Sequence, residues 1–211
     1  KNMTKQILDF SRTKDPQPLQ IDLVSLILDF EAENKNRLTK NLDLILHLPP
    51  TEVTTFADPN QIYNALEHIF TNSKQALADK PGRIDIRLIP CIHKGKACAR
   101  ISIKDNGPGI PDDIYHQIFD PFFTTKKKER GTGLGLTIAH GIINKHGGEI
   151  ELVKPNSQPN NSDILSYSGA EFNIYLPLSS KKAQTDVETN MLTPANNVDK
   201  KIIVVDDEKA L

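Results

Sequence analysis

The sequence Asp105-Asn106-Gly107-Pro108-Gly109-Ile110 is followed closely by Gly131-Thr132-Gly133-Leu134-Gly135-Leu136. Glycine lacks a Cβ, so the backbone of such loops can approach a ligand closely and can take angles that other residues avoid. Successive backbone N–H groups of this kind form concave sites for phosphate groups. The first loop also carries the Asp105 carboxylate, which can accept a hydrogen bond from the exocyclic amine of a base. Together the two loops predict a site for a purine nucleoside triphosphate.

The overall composition is typical of a folded globular protein. Of the 211 residues, 37% are hydrophobic and 25% are charged, and the formal net charge is −1. So small a net charge gives no electrostatic reason to expect a nucleic acid or an anionic membrane as partner. No apolar run approaches the roughly 20 residues that a membrane-spanning helix needs. Because Lys1 is not a natural start, we expect a cytoplasmic piece of a longer protein, in which any membrane segment lies outside this sequence.

Cys91 and Cys98 lie on either side of Lys94-Gly95, a dipeptide with the character of a hairpin turn. Two reduced, half-buried thiols are the expected state in an intracellular protein. A disulfide between the two strands is the alternative, because the spacing allows the two residues to lie opposite each other. A zinc site is not expected, since no pair of histidines accompanies the cysteines.

The helix that begins after Asp58 has the clearest sequence signature. Asp58 is a favourable N-cap, Pro59 suits the first helical position, and Gln61 stands where a capping box has an amide. An apolar stripe of helical spacing then runs from Ile62 to about Ala78. We therefore predict an amphipathic helix of several turns in this part of the chain.

The remaining pattern mixes helices and strands. Helices are predicted from Asp22 to about residue 37, in a short piece over 114–118, and over 132–145 after the second glycine loop. Strands are predicted over 42–48, in a hairpin formed by 84–92 and 97–104, and in a final pair over 149–153 and 171–176. In the second hairpin strand, Ile101 and Ile103 should face the core and Ser102 should face outward.

Two features besides the glycines suit a nucleotide with a metal ion. Asn72 faces the same side of its helix as His68, one turn before it, and an amide oxygen is a hard, neutral ligand for Mg²⁺ beside a triphosphate. The helix after the second glycine loop presents unpaired backbone N–H groups at its start, and such groups attract anions. Either feature alone is common on a protein surface. Their combination with two glycine loops, in this order, is much harder to obtain by chance.

Residues 58–178 resemble the ATP-binding catalytic domain of sensor histidine kinases, within the GHKL family that includes gyrase B, the MutL-type ATPases and the heat-shock ATPases. The resemblance rests on motifs in family order: an N box with Asn72 and Ala76, a first glycine box at 105–110, an F box at 119–126, a second glycine box at 131–136, and a His146-Gly147-Gly148 turn. It implies an α/β (α+β) two-layer sandwich, a mixed β-sheet packed on three main helices in the Bergerat-type ATP-binding fold.

The resemblance also implies ATP and Mg²⁺ as cofactors. Asn72 would bind the Mg²⁺ that bridges the phosphates, Asp105 would recognise adenine, and Lys126 would contact a phosphate as a point charge. Asn72 and Lys126 are thus the candidate catalytic residues. The other candidate ATP contacts belong to the glycine boxes and to the lid loop between them: Gly107, Gly109, Ile110, Phe119, Phe123, Thr125, Arg130, Gly131, Thr132, Gly133, Leu134, Gly135 and Leu136.

By the same resemblance, the chain divides into four parts. These would be the end of a dimerisation helix at 1–14, the catalytic domain at 15–179, a linker at 180–199 and the first strand of a receiver domain at 200–211. Asp206 and Asp207 would form part of the receiver's Mg²⁺ site. The implied protein is a hybrid histidine kinase, a homodimer through its dimerisation helices, whose partner is a receiver domain in the same or another chain.

The implied reaction is transfer of the γ-phosphoryl group of ATP to a histidine of the dimerisation domain and onward to a receiver aspartate. His68 departs from the pattern, because many kinases of the family have another Asn there and the hydrolytic relatives have a Glu that activates water. Glu67 lies about 100° further round the helix, so a kinase is favoured over an ATP hydrolase that acts as a clamp. A degenerate nucleotide-binding regulator is a further alternative, which the intact glycine boxes disfavour.

Overall fold

The computed structural model describes residues 16–35, 37–39, 41–78, 80–126, 131–153 and 169–179. Within these ranges the α-helices are α1 (Leu23–Lys35), α2 (Pro59–Leu77) and α3 (Gly135–Lys145). The strands are β1 (Leu19–Asp22), β2 (Leu42–His47), β3 (Thr54–Ala57), β4 (Gly82–His93), β5 (Lys96–Asp105), β6 (Glu149–Leu152) and β7 (Glu171–Pro177). A 3₁₀-helix covers Asp112–Ile114, between β5 and α3.

Five strands form one mixed sheet in the order β2-β4-β5-β7-β6. β2 pairs with β4 in parallel, and the other neighbours are antiparallel. One face of the sheet is apolar, with fully buried side chains that alternate along β4 and β5: Ile84, Ile86, Leu88, Ile101 and Ile103. The apolar sides of α1, α2 and α3 complete the same core. The predicted two-layer α/β sandwich, with a mixed sheet on three main helices, is therefore confirmed.

Helix α2 begins where the sequence predicts. The Asp58 carboxylate accepts hydrogen bonds from the backbone N–H groups of Asn60 and Gln61, at 3.0 and 3.2 Å, and Pro59 occupies the first turn. The buried side chains recur every three or four residues, as on one face of a helix: Ile62, Leu66, Ile69, Ser73 and Leu77. The helix is thus fixed at its start by a side-chain cap and along its length by the core.

Strands β1 and β3 pair antiparallel with each other, and the sequence pattern does not predict them. Each has only four residues, and in β3 the most hydrophobic residue is exposed while a polar residue is buried. Phe56 is 61% exposed, whereas its neighbours Thr55 and Ala57 are buried. The Thr55 hydroxyl donates to the Pro177 carbonyl at 2.7 Å and so joins this small sheet to β7. Strand β3 therefore depends on tertiary contacts, and the alternation of residue types along the chain does not predict it.

The segment between β5 and α3 differs from the prediction in two places. The short helix predicted over 114–118 is wrong, because the 3₁₀-helix at Asp112–Ile114 precedes it and turns follow. Helix α3 begins at Gly135 rather than at residue 132, because Gly133 has a φ of 67° and no right-handed helix contains that angle. The second glycine box thus forms a loop up to the first residue of α3.

Ser102 is only 6% exposed, although the alternation along β5 predicts that it faces outward. It does lie on the face opposite the buried isoleucines, because successive residues of a strand point to opposite faces. Its hydroxyl donates to Asn173 Oδ1 at 2.6 Å on the neighbouring strand β7. Side chains of the neighbouring strand therefore shield Ser102 from solvent on the outer face of the sheet.

The β4–β5 hairpin turns at Lys94 and Gly95, which have φ angles of 49° and 77°. The register places Cys91 directly opposite Cys98, and both thiols are free. Burial raises the pKa of the Cys91 thiol, which reduces its thiolate fraction and its reactivity. Both cysteines are therefore free in spite of a register that brings them together, and Cys91 is half-buried as expected, whereas Cys98 is buried.

Several predictions concern residues outside those described: the dimerisation helix at 1–14, the lid residue Arg130, the linker at 180–199, and the receiver strand at 200–211 with Asp206 and Asp207. They remain predictions. Among the helices in the described ranges, none combines the length and the apolar character that crossing a membrane requires.

Candidate nucleotide-binding site

A cavity of about 620 Å³ lies between α2, the end of β5, the start of α3 and the loop that joins β5 to α3. This volume accommodates a ligand of the size of a nucleotide. Most of the predicted site residues form its wall: Asn72, Asp105, Gly109, Ile110, Phe123, Thr125, Lys126, Gly131, Thr132, Gly133, Leu134, Gly135 and Leu136. Gly107 and Phe119 lie outside the wall, and Arg130 lies outside the described residues.

Asp105, the last residue of β5, lines this cavity and is only 2% exposed. Its Oδ1 accepts hydrogen bonds from the backbone N–H groups of Gly107, at 2.9 Å, and Ala170, at 3.2 Å. Its Oδ2 receives no hydrogen bond from the described residues. One carboxylate oxygen therefore fixes the surrounding loops, and the other is available to a donor such as the exocyclic amine of adenine.

Close contacts explain both glycines of the first box. A Cβ on Gly107 would lie 2.9 Å from Asp105 Oδ1. Gly109 has a φ of 76°, and a Cβ there would lie 3.0 Å from the Gly169 carbonyl oxygen. Gly107 therefore acts on the cavity through the Asp105 carboxylate, whereas Gly109 contributes to the wall itself.

The second glycine box forms a tight loop immediately before α3. A Cβ on Gly133 would overlap the backbone of Phe122, whose N–H donates to the Gly133 carbonyl at 2.9 Å. Leu134 stands at the N-cap of α3 and makes no side-chain capping hydrogen bond in the described structure. The first turn of α3 therefore presents its backbone N–H groups to the cavity, an arrangement that binds phosphate oxygens.

The two phenylalanines predicted as ATP contacts occupy different positions. Phe119 packs edge-on against Phe172 of β7, with 6.4 Å between ring centroids, and its carbonyl accepts from the Thr137 hydroxyl at 3.0 Å. Phe123 is half-buried and lines the cavity. Phe119 thus anchors the lid loop to α3 and β7, and only Phe123 reaches the wall.

Lys126 lies against two amide side chains of α2. Its Nζ donates to Asn72 Oδ1 at 3.1 Å and to Gln75 Oε1 at 2.5 Å. Burial lowers the pKa of Lys126. The two neutral oxygens already hold a cation, and oxygen donors are the ligands that Mg²⁺ prefers. The residues present therefore fit a divalent metal ion at this position.

His68 lines the same cavity from α2. A Cβ added at Gly135 would lie 3.5 Å from His68 Nδ1 and 4.0 Å from Asn72 Nδ2, so both side chains border the start of α3. Burial lowers the pKa of His68, which keeps the imidazole neutral at pH 7. Glu67 is directed elsewhere, because its carboxylate accepts from Asn34 Nδ2 of α1 at 3.2 Å.

Residues 57–180 match the family of histidine kinase-, DNA gyrase B-, and HSP90-like ATPases. The chain belongs to this family. The matched range contains α2, both glycine boxes and the lid loop. The cavity therefore lies within the part of the chain that matches this ATPase family.

Named relatives of this ATPase domain include sensor kinases. The chain is 29% identical over 196 residues to sensor kinase CckA of Brucella abortus (strain 2308), which covers 88% of this chain and 20% of that protein. It is 34% identical over 148 residues to the sensory histidine kinase/phosphatase NtrB of Klebsiella oxytoca, which covers 67% of this chain and 38% of that protein. The chain thus spans well under half the length of both.

A solved structure of similar fold is that of histidine kinase ThkA in complex with response regulator protein TrrA. It is 25% identical to this chain, the TM-score is 0.65, and the match covers 83% of this chain and 46% of that one. The agreement extends over most of the described residues of the ATPase domain.

Sequence reasoning missed several residues in the wall of the ATPase cavity, among them Gln75, Ala170 and Phe172. Gln75 follows Asn72 at helical spacing of three, and this signal could have found it. Ala170 directly precedes β7 and Phe172 lies in it, and the Asp105 N–H donates to the Ala170 carbonyl at 2.9 Å. No local spacing reveals these two, because the pairing of β5 with β7 joins distant parts of the chain.

Proposed function

We propose that this chain is the catalytic ATP-binding domain of a sensor histidine kinase, which transfers the γ-phosphoryl group of ATP to a histidine of a dimerisation domain. One observation carries the proposal: three kinds of group meet around a single cavity. They are the Asp105 carboxylate, the amides of Asn72 and Gln75, and the open start of α3. Together they offer places for the base, the metal ion and the phosphates of one nucleotide.

Each group has its own task in this proposal. Asp105 Oδ2 accepts a hydrogen bond from the adenine amine, while Oδ1 keeps the loops in place. The backbone N–H groups of the second glycine box and of the first turn of α3 hold the phosphates. The amide oxygens of Asn72 and Gln75, to which Lys126 Nζ now donates, would hold the metal ion, and the Lys126 ammonium group would then contact a phosphate oxygen.

Mg²⁺, when bound, neutralises phosphate charge and orients the γ-phosphoryl group. The chain's own contribution is positioning and further charge neutralisation, since phosphoryl transfer needs little covalent chemistry from the protein. The attacking nitrogen would come from the dimerisation domain. Because the chain only positions and neutralises the nucleotide, its cavity needs backbone N–H groups and side-chain amides rather than a nucleophile.

The hydrolase alternative requires a carboxylate that activates water near the γ-phosphate. Among the described residues of the cavity wall, Asp105 is the only acidic one, and its Oδ1 is already held by two backbone N–H groups. Glu67 is not in the wall. We therefore expect no steady phosphate release from ATP by the chain, and a phosphate-release assay checks this.

We further propose that the parent protein is a cytoplasmic-side hybrid kinase that works as a homodimer. The β-branched run at 202–205, followed by Asp206 and Asp207, has the pattern of a receiver's first strand and acidic pair. The complex of ThkA with a response regulator supports a receiver domain as partner. Phosphotransfer from the parent kinase to an isolated receiver domain, followed by radiolabel, would test the partnership.

The central experiment is calorimetric titration of the chain with ATP, with and without Mg²⁺. We expect binding that strengthens with Mg²⁺, and Asn72→Ala should weaken Mg·ATP binding about tenfold or more, because a metal ligand is lost. Asn64→Ala is the matched control, since Asn64 is an exposed residue of the same helix. Absence of any heat of binding at millimolar ATP would refute the proposal.

A further inference from the structure

The outer face of the sheet carries a group of side chains that suits a metal ion. Nε2 of His93, at the end of β4, lies 2.9 Å from an oxygen of Glu149 and 3.8 Å from an oxygen of Glu151, both on β6. One donor atom from each of the three side chains lies within 4.8 Å of the other two. The three residues are not part of the wall of the nucleotide cavity. This cluster is therefore separate from the proposed ATP site.

The strands place these three side chains on one face. Glu149 and Glu151 are two residues apart on β6, so both point to the side of the sheet opposite the buried Ile150. The His93 ring reaches past β5 and stacks on Tyr175 of β7, with 3.7 Å between ring centroids and 13° between the ring planes. The His93 side chain is only 17% exposed, and the stack fixes the plane of its ring. Regular elements thus hold the three donors in place, as a metal site requires.

An imidazole nitrogen beside two carboxylate oxygens is a donor set for a divalent transition-metal ion. Zn²⁺ takes such ligands at about 2.0–2.2 Å, so two of them around one tetrahedral ion lie roughly 3.3 Å apart. The His93 separations of 2.9 and 3.8 Å lie on either side of that value. Three protein ligands leave the fourth position to water or to a further ligand. Mg²⁺ suits the cluster less well, because it prefers oxygen donors alone.

A side-chain cation already contacts part of the cluster. Lys94 Nζ donates to the two carboxylate oxygens of Glu149, at 2.5 and 2.6 Å. Hydrogen bonds from Lys94 and His93 lower the pKa of Glu149, so this carboxylate is charged at pH 7. The Lys94 side chain is 65% exposed, and exposed ion pairs contribute little to stability. A metal ion can therefore displace the ammonium group from Glu149 at small cost.

We infer that His93, Glu149 and Glu151 bind a divalent transition-metal ion of the Zn²⁺ class on the outer face of the sheet. The bound ion joins the end of the β4–β5 hairpin to the edge strand β6, across β7. The site shares no residue with the nucleotide cavity, so the ion is distinct from the one that accompanies ATP.

The test is calorimetric titration of the whole chain with Zn²⁺ in the absence of nucleotide. We expect one tight site, and His93→Gln should weaken Zn²⁺ binding at least about tenfold, because the nitrogen ligand is lost. His47→Gln is the matched control. His47 also lies 3.0 Å from a carboxylate, that of Asp85, but it belongs to no group of three donors within the described residues. The control should bind Zn²⁺ like the wild type.

Lys94→Gln provides a change in the opposite direction. Removal of the competing ammonium group should strengthen Zn²⁺ binding, by up to about fivefold. An ion-pair network without a metal function does not predict this gain, so unchanged or weaker binding would contradict the inference. Glu151→Gln takes the place of His93→Gln if the latter fails to fold for loss of the stack on Tyr175, and it should also weaken binding.

Co²⁺ in place of Zn²⁺ identifies the ligands by absorption. We expect visible bands of bound Co²⁺ without the near-ultraviolet band of a thiolate ligand. Such a thiolate band, with equal metal affinity in wild type and His93→Gln, would assign the ion to Cys91 and Cys98, which are free and directly opposite each other. Equal affinity without that band, or no binding at millimolar Zn²⁺, would also overturn the inference, while the proposed function would stand.

Discussion

Helices α2 and α3 begin in opposite ways. At α2, Asp58 Oδ1 accepts from the backbone N–H groups of Asn60 and Gln61, and Oδ2 accepts from that of Gln17 at 3.0 Å. At α3, Leu134 supplies no side-chain acceptor, and the N–H groups face a cavity. The chain thus caps the start of α2, which has only a structural role. It leaves the start of α3 uncapped, and a phosphate ligand is expected to bind the backbone N–H groups there.

Two aspartates repeat the same contrast. Asp58 has both carboxylate oxygens engaged by backbone N–H groups, and it stabilises a helix. Asp105 is more deeply buried, yet only its Oδ1 is engaged within the described residues. Its Oδ2 is therefore available on the cavity side for a hydrogen-bond donor of a ligand.

Gly133→Ala should have the largest effect, because it disturbs the loop that holds the start of α3 open. The positive φ of 67° is unfavourable for alanine, and the Cβ would overlap the Phe122 backbone. We expect ATP affinity to fall at least about a hundredfold, since the N–H groups would lose their common orientation. Calorimetric titration with Mg·ATP measures the effect.

Gly141→Ala is the control for this substitution, because Gly141 lies in α3 and a Cβ there meets nothing within 4 Å. It should raise the free energy of unfolding by up to about 1 kcal/mol, as alanine does in a helix interior, and leave ATP affinity unchanged. If both variants bound ATP like the wild type, the open start of α3 would have no part in the site.

Asp105→Asn should have an intermediate effect on ATP affinity. It distinguishes the role of Oδ1 in the fold from the role of Oδ2 in binding the base. The amide oxygen can still accept from Gly107 and Ala170, so the fold should survive. The NH₂ group then replaces Oδ2 and opposes the adenine amine with a donor. We expect ATP affinity to fall about tenfold to a hundredfold, while the midpoint of thermal unfolding changes little.

Asp105→Ala complements this variant, because it removes the loop hydrogen bonds as well. It should lower the unfolding midpoint clearly, since two buried N–H groups lose their acceptor. Should Asp105→Asn bind ATP as tightly as the wild type, Asp105 would be a structural residue only.

Local sequence signals predicted those parts of the fold that local interactions determine. Asp58 and Pro59 marked the start of α2 correctly, because a cap depends on neighbours in the chain. The hairpin register around Lys94 and Gly95 followed from turn geometry in the same way. By contrast, β3 was missed, because its exposed Phe56 follows from pairing with β1 rather than from alternation.

The site shows the same division. The glycine boxes and Asn72 were recognisable from residue type and order, and the structure brings them to one cavity. The engagement of Asp105 Oδ1 by Ala170 was not, because it depends on a strand pairing between distant segments. Likewise, only the folded chain shows that Phe119 packs against Phe172 outside the cavity wall. Long-range packing therefore limits what residue patterns reveal about individual roles.

Asp58→Ala should have the smallest effect on the nucleotide and a moderate one on the fold. Loss of the N-cap acceptor should lower the free energy of unfolding by about 1 kcal/mol. Asp58→Asn keeps a side-chain oxygen at the cap, so it should lose less than the alanine variant. Urea unfolding of the three proteins measures this, and ATP affinity should be the same in all of them. A loss of ATP affinity in Asp58→Ala would break the contrast between the two helix starts.

The pH dependence of the same cap isolates the contribution of its charge. Desolvation acts to raise the pKa of Asp58, but hydrogen bonds from the backbone N–H groups of Gln17, Gln61 and Asn60 outweigh it and lower the pKa. A folded-state pKa below the unfolded value, near 3.9, means that the carboxylate stabilises the fold fully above that pH and loses this effect as the pH falls through the folded pKa. The advantage of wild type over Asp58→Asn should therefore be present at pH 7 and disappear as the pH falls through the lowered folded-state pKa of Asp58. An advantage that stayed constant over the whole acid range in which the chain remains folded would assign it to the shape of the side chain instead of its charge.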